Sequence, residues 1–231
     1  LLNNSDDKYG LEYSNRNDKY KSFKSGFHIN ETNAQIKFEN KLNNKYTVNY
    51  GLSGKRYNVN PGYLNPKETT SLIVPIDLIN EKALEASAYI KTEAKLTEKL
   101  LINIGGRYTL FNYLGANTQR IYQSGLPKND ATLIETKEYK NNEVIKKYGG
   151  FEPRISARYM LTNSLSTKIG YDKTYQYIHL LSTNTTQTPT DIWKLSDINV
   201  KPQIGEQFSI GFYKNLNEVY EISLEGYTKK S

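Results

Sequence analysis

Four times along the chain, two segments of alternating apolar and polar residues meet at a short polar turn, and each pair is joined to the next by a far longer connection. The turns are Leu42-Asn43-Asn44-Lys45, Leu96-Thr97-Glu98-Lys99, Leu161-Thr162-Asn163-Ser164 and Asn215-Leu216-Asn217-Glu218. With turn centres at 43, 97, 162 and 216 the intervals are 54, 65 and 54 residues, room for two long strands and one long excursion each time. Period-two alternation over six or more residues predicts half-buried strands, and its continuation across a short turn predicts a hairpin.

The first pair places Ala34, Ile36, Phe38 and Leu42, then Tyr46, Val48, Tyr50 and Leu52, on one face. The second does so with Leu84 to Leu96 and Leu100 to Leu110, against Glu85, Tyr89, Lys91, Glu93, Asn103, Arg107 and Thr109. In the third, Phe151, Ile155, Tyr159, Ile169 and Tyr171 oppose Glu152, Arg154, Arg158, Lys168 and Asp172. In the fourth, Phe208, Ile210, Phe212, Ile222 and Leu224 oppose Gln207, Ser209, Glu221 and Glu225. Eight strands follow, and Tyr9 to Tyr13 ends a ninth. Helix competes over 81–99, where Glu, Lys, Ala and Leu are strong helix formers. On a helix the apolar set would scatter round the axis, whereas on a strand it shares one face.

One end of this sheet is tight and the other elaborated, which predicts an antiparallel up-and-down transmembrane β-barrel with short periplasmic turns and long extracellular loops. The connections, near 14–28, 54–82, 114–147 and 180–202, are where recognition is expected. Within the second, Leu72-Ile73-Val74-Pro75-Ile76 is expected to pack over the barrel mouth. A soluble sandwich also alternates. Patterns of ~10 to 14 residues and the loop asymmetry favour a tilted membrane span.

A mean hydropathy of −0.71 is compatible with this, since half of each barrel strand is polar. The aromatic bias of 20 Tyr against 7 Phe and 1 Trp suits strand surfaces and half-wet membrane interfaces. No apolar run of ~18 residues exists, which excludes a spanning helix. Cysteine is absent, so neither a disulfide framework nor a thiolate site is available. The net charge of +7 is spread through predicted loops, in groups at Lys19 to Lys24 and Lys137 to Lys147. That distribution suggests a solvated face touching anionic lipid headgroups, and not nucleic acid. His28 and His179 stand alone, with neither a metal-ligand set nor a nucleophile motif beside them, so no catalytic residue, metal or cofactor is assigned. The chain begins without Met or a signal-peptide pattern and stops inside an alternating run, so residues 1–231 are expected to be a segment of one barrel domain in a longer protein.

The stretch Phe151-Glu152-Pro153-Arg154-Ile155-Ser156, then Lys168-Ile169-Gly170-Tyr171-Asp172-Lys173-Thr174-Tyr175-Gln176-Tyr177-Ile178-His179-Leu180-Leu181, resembles the barrel of TonB-dependent outer-membrane receptors, especially those of Bacteroidetes. Pro189-Thr190-Asp191-Ile192-Trp193, Lys201-Pro202-Gln203 and Gln207-Phe208-Ser209-Ile210-Gly211 continue the likeness in order. The resemblance implies about nine or ten strands of a ~22-stranded barrel whose lumen is plugged. It further implies an N-terminal plug and TonB-contacting segment, neither visible here, and import of a scarce ligand such as an iron chelate, glycan or peptide, with a surface lipoprotein as a further partner. Alone, the segment is expected to form an open curved sheet with unpaired edges. Arg154, Arg158, Lys168, Asp172, Glu221 and Glu225 would then line the lumen, meeting plug or ligand or pairing across strands. Tyr177, Asp191 and Trp193 are candidates to contact ligand from the last long loop, or to pack that loop. A β-rich adhesin or lectin-like protein and a passive porin are the alternatives.

Overall fold

The computed structural model describes residues 2–15, 18–182, 192–216 and 219–231. Fourteen strands appear among them: β1 (Leu2–Asn15), β2 (Phe23–Lys41), β3 (Tyr46–Pro66), β4 (Ile76–Asp77), β5 (Glu81–Lys95), β6 (Leu100–Leu114), β7 (Asn117–Tyr122), β8 (Leu133–Tyr139), β9 (Val144–Met160), β10 (Leu165–Gln176), β11 (Ile178–Leu181), β12 (Ile192–Leu195), β13 (Gln203–Leu216) and β14 (Tyr220–Lys230). Nine long strands form one antiparallel meander in the order β1-β2-β3-β5-β6-β9-β10-β13-β14, with β4 attached to β3 and both edges unpaired. The hairpins β7/β8 and β11/β12 are separate two-stranded sheets within the long connections. Residues 81–99 are strand and turn, not helix.

Three turns at the tight end share one device. Asn43 Oδ1 accepts from the N–H of Lys45 (2.8 Å) and of Tyr46 (3.0 Å). Thr97 Oγ1 does so for Lys99 and Leu100, and Thr162 Oγ1 for Ser164 and Leu165. A short polar side chain that satisfies backbone donors two and three residues on fixes a tight turn without help from the rest of the fold. The fourth turn, at 215–218, lies partly outside the described residues.

Strand register lays the outward side chains in rows across β3, β5, β6 and β9, such as Val48–Thr92–Ile104–Ile155 and Leu52–Ala88–Tyr108–Phe151. From Tyr46 to Gly54 on β3, and in the rows paired with it, no outward residue is charged. These side chains are open to their surroundings: Leu52 is 61%, Ile90 57%, Ile104 55% and Phe151 57% exposed. From Ala86 to Leu96 the band runs about 10 residues, which at ~3.4 Å each and a tilt near 40° is on the order of 25 Å, the height of the apolar band of an outer-membrane barrel.

The strands are longer than the alternation implied, and two long connections shrink accordingly. β2 already begins at Phe23 and β3 runs on to Pro66, so the loops expected near 14–28 and 54–82 contract to 16–22 and 67–80 apart from β4. Above the apolar band the phase inverts. On β3 the apolar residues move from even positions up to Leu52 to odd ones at Tyr57 and Val59, which face inward and are buried. A one-residue change of phase moves every apolar side chain to the opposite face while leaving the hydrogen-bond ladder intact.

The Leu72–Ile76 run does not cover the mouth. Leu72 and Val74 are 80% and 74% exposed, and only Ile76 joins a strand, pairing with Leu64. Pro75, which has no N–H to donate, separates the run from that pairing. Ser71 Oγ, donating to Ser22 O (2.7 Å), and Leu72 N, donating to Tyr20 O (2.9 Å), tie the segment to the neighbouring rim.

Candidate functional site

The concave side of the sheet has two zones, a mouth crossed by a folded loop and a charged trough beneath it. The mouth begins where β10 parts from β9, while staying paired with β13 as far as Gln176. β9 and β10 pair from Met160↔Ser166 only as far as Arg154↔Asp172, and the next residue of β9 is Pro153. A proline offers no N–H to a ladder, so the strands separate there. Gly150 then makes room: a Cβ at that position would lie 2.4 Å from the Tyr175 ring. Tyr177 follows and stacks on Phe111, ring centres 4.6 Å apart and planes 4° from parallel. These contacts turn the chain inward, and β11/β12 crosses the mouth toward the first strands.

On the far side the hairpin is anchored by packing and by charge. Trp193 lies against Phe27 (5.9 Å) and edge-on to Tyr9 (6.3 Å). Leu195 is buried with Tyr57, Val59, Ala83, Phe111 and Tyr113. Lys194 Nζ bridges Glu81 and Asp197, reaching Asp197 Oδ2 at 2.8 Å, and sits 5.4 Å from the Tyr113 ring centre. Glu81 Oε2 also accepts from Leu195 N (2.7 Å), and Asp197 Oδ1 from Asn199 N and Val200 N (2.7 and 2.8 Å). Burial alone would favour the neutral amine of Lys194, but the two carboxylates outweigh it and hold its pKa above the ordinary lysine value. Across the hairpin, His179 Nε2 and Ser196 Oγ are 2.8 Å apart, and burial keeps that imidazole below its usual range. The second excursion is tied in too: Lys128 Nζ donates to Asn199 O (2.6 Å) and Asn199 Nδ2 to Arg120 O (3.1 Å).

Two of the three expected loop contacts are thereby placed. Tyr177 is buried on Phe111 and Trp193 packs on β1 and β2, so both hold the loop to the wall. The Tyr177 hydroxyl and the Trp193 indole N–H are buried without a hydrogen-bond partner among the described residues. Asp191 lies outside the described residues.

Below the mouth a trough of about 750 Å³ is lined by Tyr89, Lys91, Asn103, Arg107, Arg154, Ser156, Lys168, Asp172 and Ser209. A smaller hollow of about 360 Å³ continues it toward the turns, with Arg158, Tyr213 and Glu221 beside the shared Asn103, Ser156 and Lys168. Arg154, Arg158, Lys168, Asp172 and Glu221 are therefore brought together. Glu225 stands apart on the edge strand, accepting from Tyr213 Oη (2.9 Å). Few of these charges pair. Lys168 faces Arg158 in register, Arg158 Nε reaches only Ser166 Oγ (3.3 Å), and Arg154 meets Glu152 at 3.9 Å. Lys91, Arg107 and Lys168 have no carboxylate within ion-pair distance among the described residues. The trough is thus a concentration of positive charge on a concave, solvent-open wall, which raises the local concentration of an anion. The described residues hold no group of three or more His, Cys, Asp or Glu placed to bind a metal; His28 lies beside Tyr63 and His179 beside Ser196.

Parity placed Lys91 and Arg107 on the inner face, but nothing in the sequence joined them to Arg154 and Lys168, which lie on the next two strands of the sheet, β9 and β10. The Glu81–Lys194–Asp197 cluster was missed altogether, because Glu81 is over a hundred residues from the other two and only the inward fold of β11/β12 unites them.

An uncharged outer belt, a charged concave inner face, tight turns at one end and folded loops at the other define a segment of a transmembrane antiparallel β-barrel. Residues 2–230 match the family described as TonB dependent receptor-like, beta-barrel, and the chain belongs to it. Solved structures give the same fold at low identity. The ferric yersiniabactin uptake receptor FyuA of Yersinia pestis is 10% identical over 99% of this chain and 32% of its own, with a TM-score of 0.58. The ferripyoverdine receptor of the outer membrane of Pseudomonas aeruginosa is 14% identical over 99% and 29%, TM-score 0.53. The FrpB iron transporter of Neisseria meningitidis is 9% identical over 96% and 36%, TM-score 0.51. The chain thus spans about a third of the length of these receptors. No curated protein matches it.

Proposed function

We propose that this chain is one stretch of the barrel wall of an outer-membrane TonB-dependent transporter, of the Bacteroidetes type, that binds a scarce ligand at its extracellular loops and imports it through a plugged lumen. Residues 1–231 form part of one barrel domain, and the parent protein supplies the plug and the TonB-contacting segment. The observation that carries this reading is the basic trough beneath the mouth, in which Lys91, Arg107 and Lys168 have no ion-pair partner among the described residues. Lys91, Arg107, Arg154 and Lys168 on one wall attract an anionic ligand or an acidic plug surface moving through the lumen; an anion-selective passive pore uses such charges too, and the match of residues 2–230 to the TonB dependent receptor-like barrel favours the receptor over it. Arg154, Arg158, Lys168, Asp172 and Glu221 face that passage, and β11/β12 with its neighbours forms the outer collar against which a ligand or surface lipoprotein would seat. The neighbours named for ferric yersiniabactin and ferripyoverdine make an iron chelate the first cargo to try, ahead of glycans and peptides.

The test uses the full-length receptor in cells. Ferric chelates, glycans and peptides are offered in turn as labelled probes, with and without the TonB-contacting segment. Accumulation of one probe that depends on that segment and falls at least tenfold in the Arg154→Gln, Lys168→Gln double variant is the expected result. Accumulation of every probe independent of the segment marks a porin, and a receptor that leaves the membrane without detergent is no transporter.

A further inference from the structure

The outer face of the four central strands carries only three charged residues among those described, all basic and all within two adjacent rows. Outward positions of β3, β5, β6 and β9 read Tyr, Val, Thr, Ile, Ala, Leu, Pro, Phe and Gly through the apolar band. Directly above it, Arg56, Leu84, Asn112 and Lys147 form one register row across the four strands. The next row up adds Lys82, opposite Asn58, with Lys82 Nζ donating to Asn141 Oδ1 (3.0 Å). That these residues point outward follows from their neighbours: Tyr57, Ala83 and Phe111 are buried in the mouth, and Tyr148 bonds inward to Asp197 O. No carboxylate projects from these strands in either row.

Beneath the basic row the belt is unusually shallow. Gly54, Ala86, Leu110 and Gly149 share the row below, and a Cβ at Gly54 would meet nothing closer than 4.0 Å. Gly54 and Ala86 are small and uncovered, so the wall recedes at the β3–β5 end of this row, just where the apolar belt meets the charged row, whereas at Gly149 a Cβ would lie 3.0 Å from the Tyr108 hydroxyl and 3.4 Å from Leu110 Cδ2. At ~4.8 Å between strands, Arg56 and Lys147 are roughly 14 Å apart. A cationic fork, an apolar recess below it and continuity with the lipid-facing belt match an amphiphile with anionic phosphate above and acyl chains beneath.

We infer that the surface around Arg56, Lys82 and Lys147 is a binding site for a phosphate-bearing acylated lipid of the outer leaflet, with Asn58 and Asn112 donating beside the phosphates and the acyl chains lying over Gly54 and Ala86. Long Arg and Lys side chains suit this depth, since their stems lie on apolar surface while their heads reach the headgroup layer. The inference rests on the outer face being lipid-facing and is independent of any cargo.

The experiment purifies the full-length receptor in a neutral detergent and titrates it with phosphatidylglycerol, reading bound lipid by native mass spectrometry. Diacylglycerol with the same chains and inorganic pyrophosphate are the two controls. One to two phosphatidylglycerol molecules should be retained, with neither control mimicking them. Arg56→Gln, Lys82→Gln, Lys147→Gln together should weaken retention on the order of 100-fold, about fivefold per residue. The charge-matched Lys19→Gln, Lys21→Gln, Lys137→Gln set should leave it within twofold. If the triple variant does not fold, each single variant must show its own fivefold loss. Retention within twofold of the parent in the triple or single variants, equal loss in the control set, or equal binding of diacylglycerol overturns the site; binding of pyrophosphate alone assigns it to free anions and overturns the lipid. A receptor that still requires detergent while ignoring these charges defeats this inference and leaves the barrel reading intact.

Discussion

Each long strand is two structures end to end, and the comparison between them explains most of the molecule. Near the tight turns the apolar side chains of β3 and β6, Val48, Leu52, Ile104 and Tyr108 among them, point outward and the polar ones inward. Near the loops the order reverses, so that Tyr57, Val59, Phe111 and Tyr113 are buried inside while Arg56, Asn58 and Asn112 face out. The backbone ladder crosses the boundary without a break on β3 and β5. What changes is the solvent. Below the boundary the outside is hydrocarbon and the inside wet; above it the outside is water and the inside is filled by the strand hairpin β11/β12. The chain encodes the membrane surface as a one-residue change of phase.

Removing the charge anchor should have the largest effect. Lys194→Met leaves Glu81 and Asp197 buried beside each other without their cation, and breaking a buried pair in this way costs about 3–5 kcal/mol. The loss is local: amide exchange across 192–200 in the full-length receptor should accelerate strongly while the ladder of β5 and β6 below Ala88 keeps its protection. Unchanged exchange would mean that the hairpin is held by Trp193 and Leu195 alone.

Next comes the difference between the two faces of the lower half. Ile104→Lys places a charge in mid-belt and should destabilise refolding into vesicles by ~2–4 kcal/mol. Asn103→Asp, one residue away on the inner wall among Lys91, Arg107 and Lys168, should cost under ~1 kcal/mol, because there the charge meets water and opposite charge. Equal costs would erase the distinction between the faces.

A smaller effect is expected in the upper half. Tyr57 Oη donates to Glu85 Oε2 at 3.0 Å, and Tyr57→Phe should cost ~1–3 kcal/mol by leaving that buried carboxylate short of a donor. Urea titration of the vesicle-inserted receptor measures it.

The smallest is a pH effect at the hairpin. Burial depresses the His179 pKa below its ordinary 6.5, so the neutral ring is the folded form. Its contribution is complete above pH 6.5 and is lost as pH falls through the folded-state value, because the unfolded ring binds its proton first. Exchange of the 178–181 and 192–195 amides, corrected for intrinsic rates, should be faster at pH 5 than at pH 7. His179→Asn should flatten that difference.

The lower half was legible in the sequence because one rule governs it from end to end. Most of the large outward residues the alternation assigned there, Ile36, Phe38, Leu52, Ile90, Ile104, Tyr108, Phe151, Ile169, Phe208 and Leu224 among them, are exposed on the convex side, others such as Val48, Ile102 and Tyr171 are half-buried among their neighbours, and three of the turn centres, Asn43, Thr97 and Thr162, are the residues that cap the turns. The upper half was not legible, for the same reason. A phase change between Leu52 and Tyr57 cancels the period-two signal, so a strand 21 residues long reads as a short one followed by a loop. The inner-wall charges of β9 and β10 could be read as a set because their strands are neighbours in sequence. The mouth could not, since Trp193 meets Phe27 and Lys194 meets Glu81 only after Pro153 and Gly150 have let β10 part from β9, a tertiary event with no periodicity to announce it.

The central claim is that the faces exchange solvents at one level of each strand. Residues 1–231 hold no cysteine, so single cysteines can be placed along β6 from residue 102 to 113 in the full-length receptor, with any cysteine elsewhere in it replaced by serine, given a nitroxide, and read for contact with oxygen in lipid and with a nickel chelate in water. Positions 102, 104, 108 and 110 should favour oxygen and 103, 107 and 109 the chelate or neither; at 112 and 113 the pattern should flip, with 112 wet and 113 sealed. A single unbroken alternation through 113, or chelate access at 104 and 108, would contradict it.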